Sequence, residues 1–433
     1  MRGHGGGVAR QGNAAAGVLA SPVSLRALHL SPVSSVARQR RRAAALLGVA
    51  TLTVMASAIV APSMPRMADA FRDAPQAALL TKLVLTMPAL VIALLAPAAG
   101  AIVDRFGRIR LLRASLVLYG LAGAAGYVLQ DLVHILASRA LLGLAIAGTM
   151  TSMTTLAGDY FHAEARSRFA SRQSIVMSIG AVASFVVGGL LADLDWRLPF
   201  LLYLAGWALL VPVLLHLDEP PRPGAHAAAQ GRGAIPWRRV LFVYAITFVL
   251  VAMFYMTATQ LPFLLRDIGV ERPAFAGFAI ATTSLSAALG SWWLPALRRR
   301  SGTLRVYAAA FALMGAGYAL VGAFAHYAAV VAGAFVAGIG VGLFFPASNL
   351  AVLTLAPPAV RGRVVGGLTT AIFLGQFASP VLVQPLVTAA GIGGAFVGCG
   401  LAMLAAALLL AFSRDRLVAH PDPRSSHTKG TSS

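Results

Sequence analysis

Charge is scarce in this sequence. Only 11% of its 433 residues are Asp, Glu, Lys or Arg, and just 14 are acidic. A soluble globule of this size carries about 25% charged residues, so a fold solvated by water alone is excluded. Cysteine is nearly absent too. Cys399 stands alone in an apolar run, which excludes an internal disulfide and leaves packing as its role. There is no G-x-x-x-x-G-K-[ST] loop to take up ATP directly. His162, Asp159 and Glu164 sit close in sequence but lack further zinc ligands at usable spacing. No enzyme chemistry, metal or cofactor is therefore expected. Finally, all 14 acidic residues fall at the ends of apolar runs, in loops or in the tail, and none falls in the middle of a run.

Long apolar runs are what the chain does have. It is 58% hydrophobic, with a mean hydropathy of +0.78. Crossing about 30 Å of hydrocarbon takes about 20 helical residues, and twelve stretches reach that length, near 43–62, 78–101, 112–130, 133–157, 172–192, 198–217, 240–263, 274–296, 304–325, 327–350, 366–388 and 392–412. They predict an all-α membrane protein of twelve transmembrane helices. Several contain Pro or Gly, which a membrane bundle tolerates because neighbouring helices satisfy the freed backbone groups.

The net charge of +21 does not describe a nucleic-acid surface, because the basic residues come in short bursts between apolar runs. Of the 35 basic residues, 28 fall in the two tails and every second loop. The alternate segments hold only Arg66, Arg72, Lys82, Arg197, Arg266 and Arg272, and Arg139 lies inside a span. This asymmetry predicts cytoplasmic termini in a multi-pass protein of the cell (inner) membrane. Residues 1–42 hold no acid and end in Arg40, Arg41 and Arg42. They read as a disordered basic tail that grips anionic lipid, with a transit peptide as the alternative.

A polar linker at 218–237 divides a bundle at 43–217 from one at 238–412, and 413–433 forms a C-terminal tail. The bundles look like repeats. Gly143 and Gly148 of the fourth span answer to Gly338, Gly340 and Gly342 of the tenth, and the loop from Gly100 to Arg113 answers to the one from Gly290 to Arg305. Two pseudo-symmetric six-helix bundles around a central cavity are one way to build an alternating-access carrier.

The segment Gly100-Ala-Ile-Val-Asp104-Arg105-Phe-Gly107-Arg108-Ile-Arg110 resembles the G-x-x-x-D-R-x-G-R-[RK] signature of the major facilitator superfamily, with its last basic residue one place late. Here Gly100 lets a helix end pack closely, Gly107 permits a tight turn, and Asp104 can face a helix N-terminus. The resemblance implies a conformational latch of Gly100, Asp104, Arg105, Gly107, Arg108 and Asp159. The alternative is a plain basic loop. Arg139-Ala-Leu-Leu-Gly143 is similar to the fourth-span R-x-x-x-G signature, and Trp196-Arg197-Leu-Pro199-Phe200 to the opening of the sixth span. Gly180, Gly188 and Gly189 resemble the glycines of the antiporter signature, but Ser184 and Phe185 replace its central Gly-Pro. The similarity looks closest to the drug:proton antiporter branch.

That resemblance implies secondary export of small, mostly hydrophobic compounds by a monomer coupled to protons. Arg139 is the candidate for coupling or substrate positioning, or else snorkels to the headgroups. Without a mid-span carboxylate, the proton carrier would be a peripheral group such as Asp69, Asp131, Asp159 or His134. Tyr255, Gln260, Asn349 and Gln376 are cavity candidates, and interhelical adhesion is the alternative for each. The other readings are a sugar or metabolite carrier of the same fold, in either direction, and a membrane sensor or scaffold that has lost transport.

Overall fold

We describe a computed structural model that covers residues 32–220, 235–357 and 360–413. The expected tails at 1–31 and 414–433, and the middle of the linker at 221–234, lie outside the described residues. Among the described residues, eleven helices are long and apolar enough to cross a membrane: α1 (Ala37–Ala70), α2 (Ala77–Leu95), α3 (Arg108–Tyr127), α4 (Leu132–Tyr160), α5 (Glu164–Leu194), α6 (Leu198–His216), α7 (Trp237–Asp267), α8 (Pro273–Arg299), α9 (Gly302–Ala323), α10 (Tyr327–Leu355) and Arg361–Phe412. At 1.5 Å per residue the last would be near 80 Å long, far more than a bilayer. It breaks at Gly391, where φ is 72° and ψ is 176°, into α11 (361–390) and α12 (392–412). The described spans number twelve.

One boundary differs from expectation. The helix leading into α1 begins at Pro32, so 32–42 is helical where a disordered tail was expected. Pro fits the first helical turn, the residues from Val36 to Ala45 include neither Gly nor Pro, and Arg42 is tied to Asp218 at 2.7 Å. The helix therefore has a start signal, good helix formers and a tertiary anchor.

The chain forms two apolar cores, one from α1 to α6 and one centred on α7 to α12. Glycines set the distances within each. A Cβ at Gly342 of α10 would overlap the Ala287 carbonyl of α8, and one at Gly290 would overlap the Ile339 carbonyl of α10. In the first half Gly143 seats α4 on the Pro88 backbone of α2, Gly148 seats it on Ser115 of α3, and Gly188 seats α5 on the Ile59 carbonyl of α1. Small residues let membrane helices gain dispersion energy where the hydrophobic effect gives none. The duplication is visible in the backbone as well. Gly107 before α3 and Gly302 at the start of α9 both turn the chain at positive φ, 84° and 73°.

The halves meet along two seams, α2 against α11 and α5 against α8. On α5, Gly189 lies against the backbone of Pro273 and Ala274, and Gly277 of α8 lies against the Phe185 carbonyl. Gly342→Ala should cost about 1–3 kcal/mol through overpacking. Gly398→Ala, where nothing lies within 4 Å of the added Cβ, should stay within about 0.5 kcal/mol. Thermal unfolding of the two purified variants in one detergent checks this, and equal midpoints would contradict the packing account.

Candidate functional site: a cavity between the halves

The halves are joined by charged contacts at the face that carries few charges. There Arg266 of α7 pairs with Asp69 of α1 at 2.8 Å and also reaches the Pro65 carbonyl at 3.4 Å. Asp193, at the end of α5, accepts from Arg272 at 2.9 Å and from the backbone N–H of Ala274 at 3.1 Å. It thus binds a cation and the first turn of α8 together, where the helix dipole favours a carboxylate. The ion pairs described on the arginine-rich face stay within the first half and its linker: Arg42–Asp218, Arg108–Asp159 and Arg168–Glu164. One end of the bundle is drawn shut by ion pairs between halves, whereas among the described residues the ion pairs at the other end lie within the first half and its linker.

Below the closed end lies a cavity of about 110 Å³. Both halves line it: Val54 and Ser57 of α1, Phe185 of α5, Phe254 and Tyr255 of α7, and Thr283 of α8. Tyr255 reaches across to the first half, with its hydroxyl 3.5 Å from Ser57 Oγ and the Gln376 side chain of α11 close by. The walls are otherwise mostly apolar and aromatic, with Phe254 packed edge-on to Tyr255 at 5.4 Å. Small-molecule sites generally have this composition at about 300–1,000 Å³, so this state has room for only part of a ligand.

Of the expected cavity residues, Tyr255 and Gln376 thus come together. Gln260 is fully buried beyond them toward the closed face, and neither of its amide atoms has a hydrogen-bond partner. Asn349 is exposed and bonds the Phe345 carbonyl of its own helix, apart from that group. Asp69 and Asp159 each hold an arginine, while Asp131 caps α4 and meets His134 at 3.1 Å.

The latch segment has an unexpected member. Gly107 turns into α3, and the first two N–H groups of that helix, Arg108 and Ile109, donate to Glu219 at 2.8 Å each. Arg108 Nε lies 2.7 Å from Asp159, a charge contact whose N–H is not well aimed. The linker's first residues are thereby pinned to the first half, and the Tyr160 hydroxyl bonds the Asp218 carbonyl. Arg105 is exposed, and the Asp104 side chain lies outside the described residues. Gly100 does not pack closely: a Cβ there would meet nothing within 4 Å. It sits in the first turn of the short helix Ala99–Phe106, which stands clear of its neighbours at that point.

Arg139 is almost completely buried at 1% exposure, inside the first half and away from the cavity. Its Nη2 donates to the carbonyls of Ala122 and Gly123 at 2.7 and 2.6 Å, and its guanidinium lies 5.0 Å from the rings of Phe200 and Tyr203. It closes the end of α3, where unpaired carbonyls attract a cation, and stacks on the start of α6.

These features agree with a comparison of the whole chain. A family model described as Major Facilitator Superfamily matches residues 46–303 and again 243–432, so that it recognises both halves. The chain belongs to the major facilitator superfamily. It is 25% identical over 297 residues to the 3-(3-hydroxy-phenyl)propionate transporter of Escherichia coli K12, which covers 65% of this chain and 72% of that protein. It is 28% identical over 160 residues to multidrug resistance protein 1 of Bacillus subtilis, where the match spans 36% of this chain and only 41% of the relative. A crystal structure of the nucleoside transporter NupG superposes with a TM-score of 0.71 at 12% identity, over 87% of this chain and all of that one. At that identity the likeness speaks to fold alone. The superfamily chain is a membrane transporter of small molecules, not an enzyme.

Removing the Arg139 guanidinium strands two carbonyls and two aromatic faces. Arg139→Ala should lower the unfolding midpoint sharply, Arg139→Lys less, and whatever protein survives should transport with unchanged half-saturation. A stable variant with altered half-saturation would return Arg139 to the transport step.

Proposed function

We propose that this superfamily member is a secondary exporter of small, mostly apolar aromatic compounds that works by alternating access as a monomer, with protons as the coupling ion. The positive-inside bias supports a cell (inner) membrane orientation with the arginine-rich face, and with it both termini, in the cytoplasm. The observation that carries this reading is the cavity at Tyr255, walled by both halves and closed on one face by Asp69–Arg266 and Asp193–Arg272. A site shared by two bodies opens to one face or the other as they rock.

Coupling needs no mid-membrane acid in this scheme. Protonating Asp69 or Asp193 would remove an anion that binds the halves together and release the closed face. Partly exposed pairs of this kind contribute about 0–1 kcal/mol each, a scale on which one proton or one substrate can shift the balance. The latch at Arg108, Asp159 and Glu219 belongs to the opposite face, where Arg105 is left exposed to meet the second half when that face closes.

Substrate character follows the lining. Phe185, Phe254 and Tyr255 offer ring stacking, and Ser57 and Thr283 a few hydroxyls. The two relatives' names, one for a phenylpropionate and one for multidrug resistance, point to aromatic or apolar cargo. A second reading, carriage of an aromatic acid, is favoured by the first of these.

Protein reconstituted in liposomes should move an apolar aromatic dye, faster under an imposed pH gradient. In Asp69→Cys/Arg266→Cys protein, a cleavable thiol crosslinker should reduce flux at least tenfold, and reductant should restore it. Flux indifferent to the gradient would remove proton coupling. Undiminished flux through crosslinked protein would remove alternating access, and no flux of any compound would favour a sensor or scaffold.

A further inference from the structure

Lys82 of α2 is 3% exposed, and the chain holds only one other lysine, Lys429, among its 35 basic residues. Its Nζ makes one long contact, 3.4 Å to Gln384 Oε1 of α11, and lies 5.0 Å from the Phe263 ring of α7. None of the ion pairs among the described residues includes it. The carboxylate whose charge reaches it is that of Asp267, which is exposed at the end of α7. An ammonium has three N–H donors, and burying it against one neutral acceptor is costly.

Its surroundings share the same shortage. Lys82 opposite Gln384 and Ala93 opposite Thr370 fix α2 and α11 in antiparallel register, which brings Thr86 level with Ser379. Both hydroxyls are fully buried and have no partner. Gln260, one turn before Phe263 on α7, has a free amide N–H₂ and a free carbonyl. Three helices from both halves thus bring an ammonium, an amide and two hydroxyls to one buried seam, all with donors to spare. Gln384 lies eight residues beyond Gln376 on α11, about 12 Å of helix rise, so the seam stands between the Tyr255 cavity and the closed face.

A group that satisfies several such donors and neutralises one positive charge is a carboxylate. We infer that Lys82 is the anchor for the carboxylate of a monoanionic aromatic acid whose ring points along the seam toward the Tyr255 cavity, with Gln260, Thr86 and Ser379 as supporting donors. The inference rests on the carrier reading of that cavity and names a substrate class for it. A lysine suits the position because it is a compact, strongly hydrated point charge that gains most from exchanging a poor partner for an anion.

Calorimetric titration of the purified full-length chain with benzoate, and with its neutral isostere benzamide, tests this. The wild-type protein should bind benzoate at least tenfold more tightly than benzamide. Lys82→Gln and Lys82→Met should lose at least tenfold in benzoate affinity, Lys82→Arg should keep most of it, and benzamide binding should be unchanged in all, which also reports that the cavity is folded. Benzoate binding unaffected by Lys82→Gln would overturn the assignment. So would equal affinity for the two probes, or displacement of benzoate by chloride at matching concentration, which would indicate a halide site. Dye flux in liposomes separates the two proposals: flux without benzoate binding leaves the carrier reading standing and the anchor refuted, and Lys82-dependent binding without flux does the reverse.

Discussion

The closed face depends on Asp193. One carboxylate from the first half binds both the Arg272 side chain and the first turn of α8, next to the glycine contact of Gly189 with Pro273. Its strength is limited because its partner is two-thirds exposed, and exposed pairs are weak. That limit is a requirement of the fold. Two bodies that rock against each other need joints worth no more than a few kcal/mol, or neither proton nor substrate could shift the population.

Inside each half the opposite rule holds. Gly143, Gly188, Gly290 and Gly342 bring backbone against backbone, and Arg139 ties the end of α3 to α4 and α6. Close-packed contacts of this kind deform little, so motion concentrates at the seams. The Tyr255 cavity lies where rigid packing gives way to weak joints, and its lining from both halves makes it sensitive to their separation. Glu219 adds a related device, since a residue of the linker caps α3 and fixes where the connection to the second half departs.

Much of this was legible in the sequence. Long apolar runs with few charges can only be lipid-facing or core helices, so the twelve spans followed from hydropathy, and the halves from matching glycines and basic loops. Gly107 was legible because the residues around it demanded a sharp turn, which the backbone makes at positive φ. Tyr255 and Gln376 were legible as polar groups in apolar runs. Gly100 was misread because a motif glycine suggests a close neighbour, and spacing alone does not say whether one is there. Arg139 could be seen to need an interior, but which interior depends on how the helix is rotated. Ser57, Asp193 and Glu219 gave no signal, since their roles come from residues distant in the chain. Lys82 gave one that went unread: in a chain that relies on arginine, a lysine in an apolar run calls for its own explanation.

The central claim is that both faces of the bundle move reciprocally about the Tyr255 cavity. Spin labels at Arg72 and Glu271 report the closed face, and labels at Arg105 and Arg299 the arginine-rich one. Pulsed electron-spin distance measurements in nanodiscs should give a short first distance with a long second one, and lowering the pH should populate the reverse combination. Two distances that stay fixed, or lengthen together, would contradict the account.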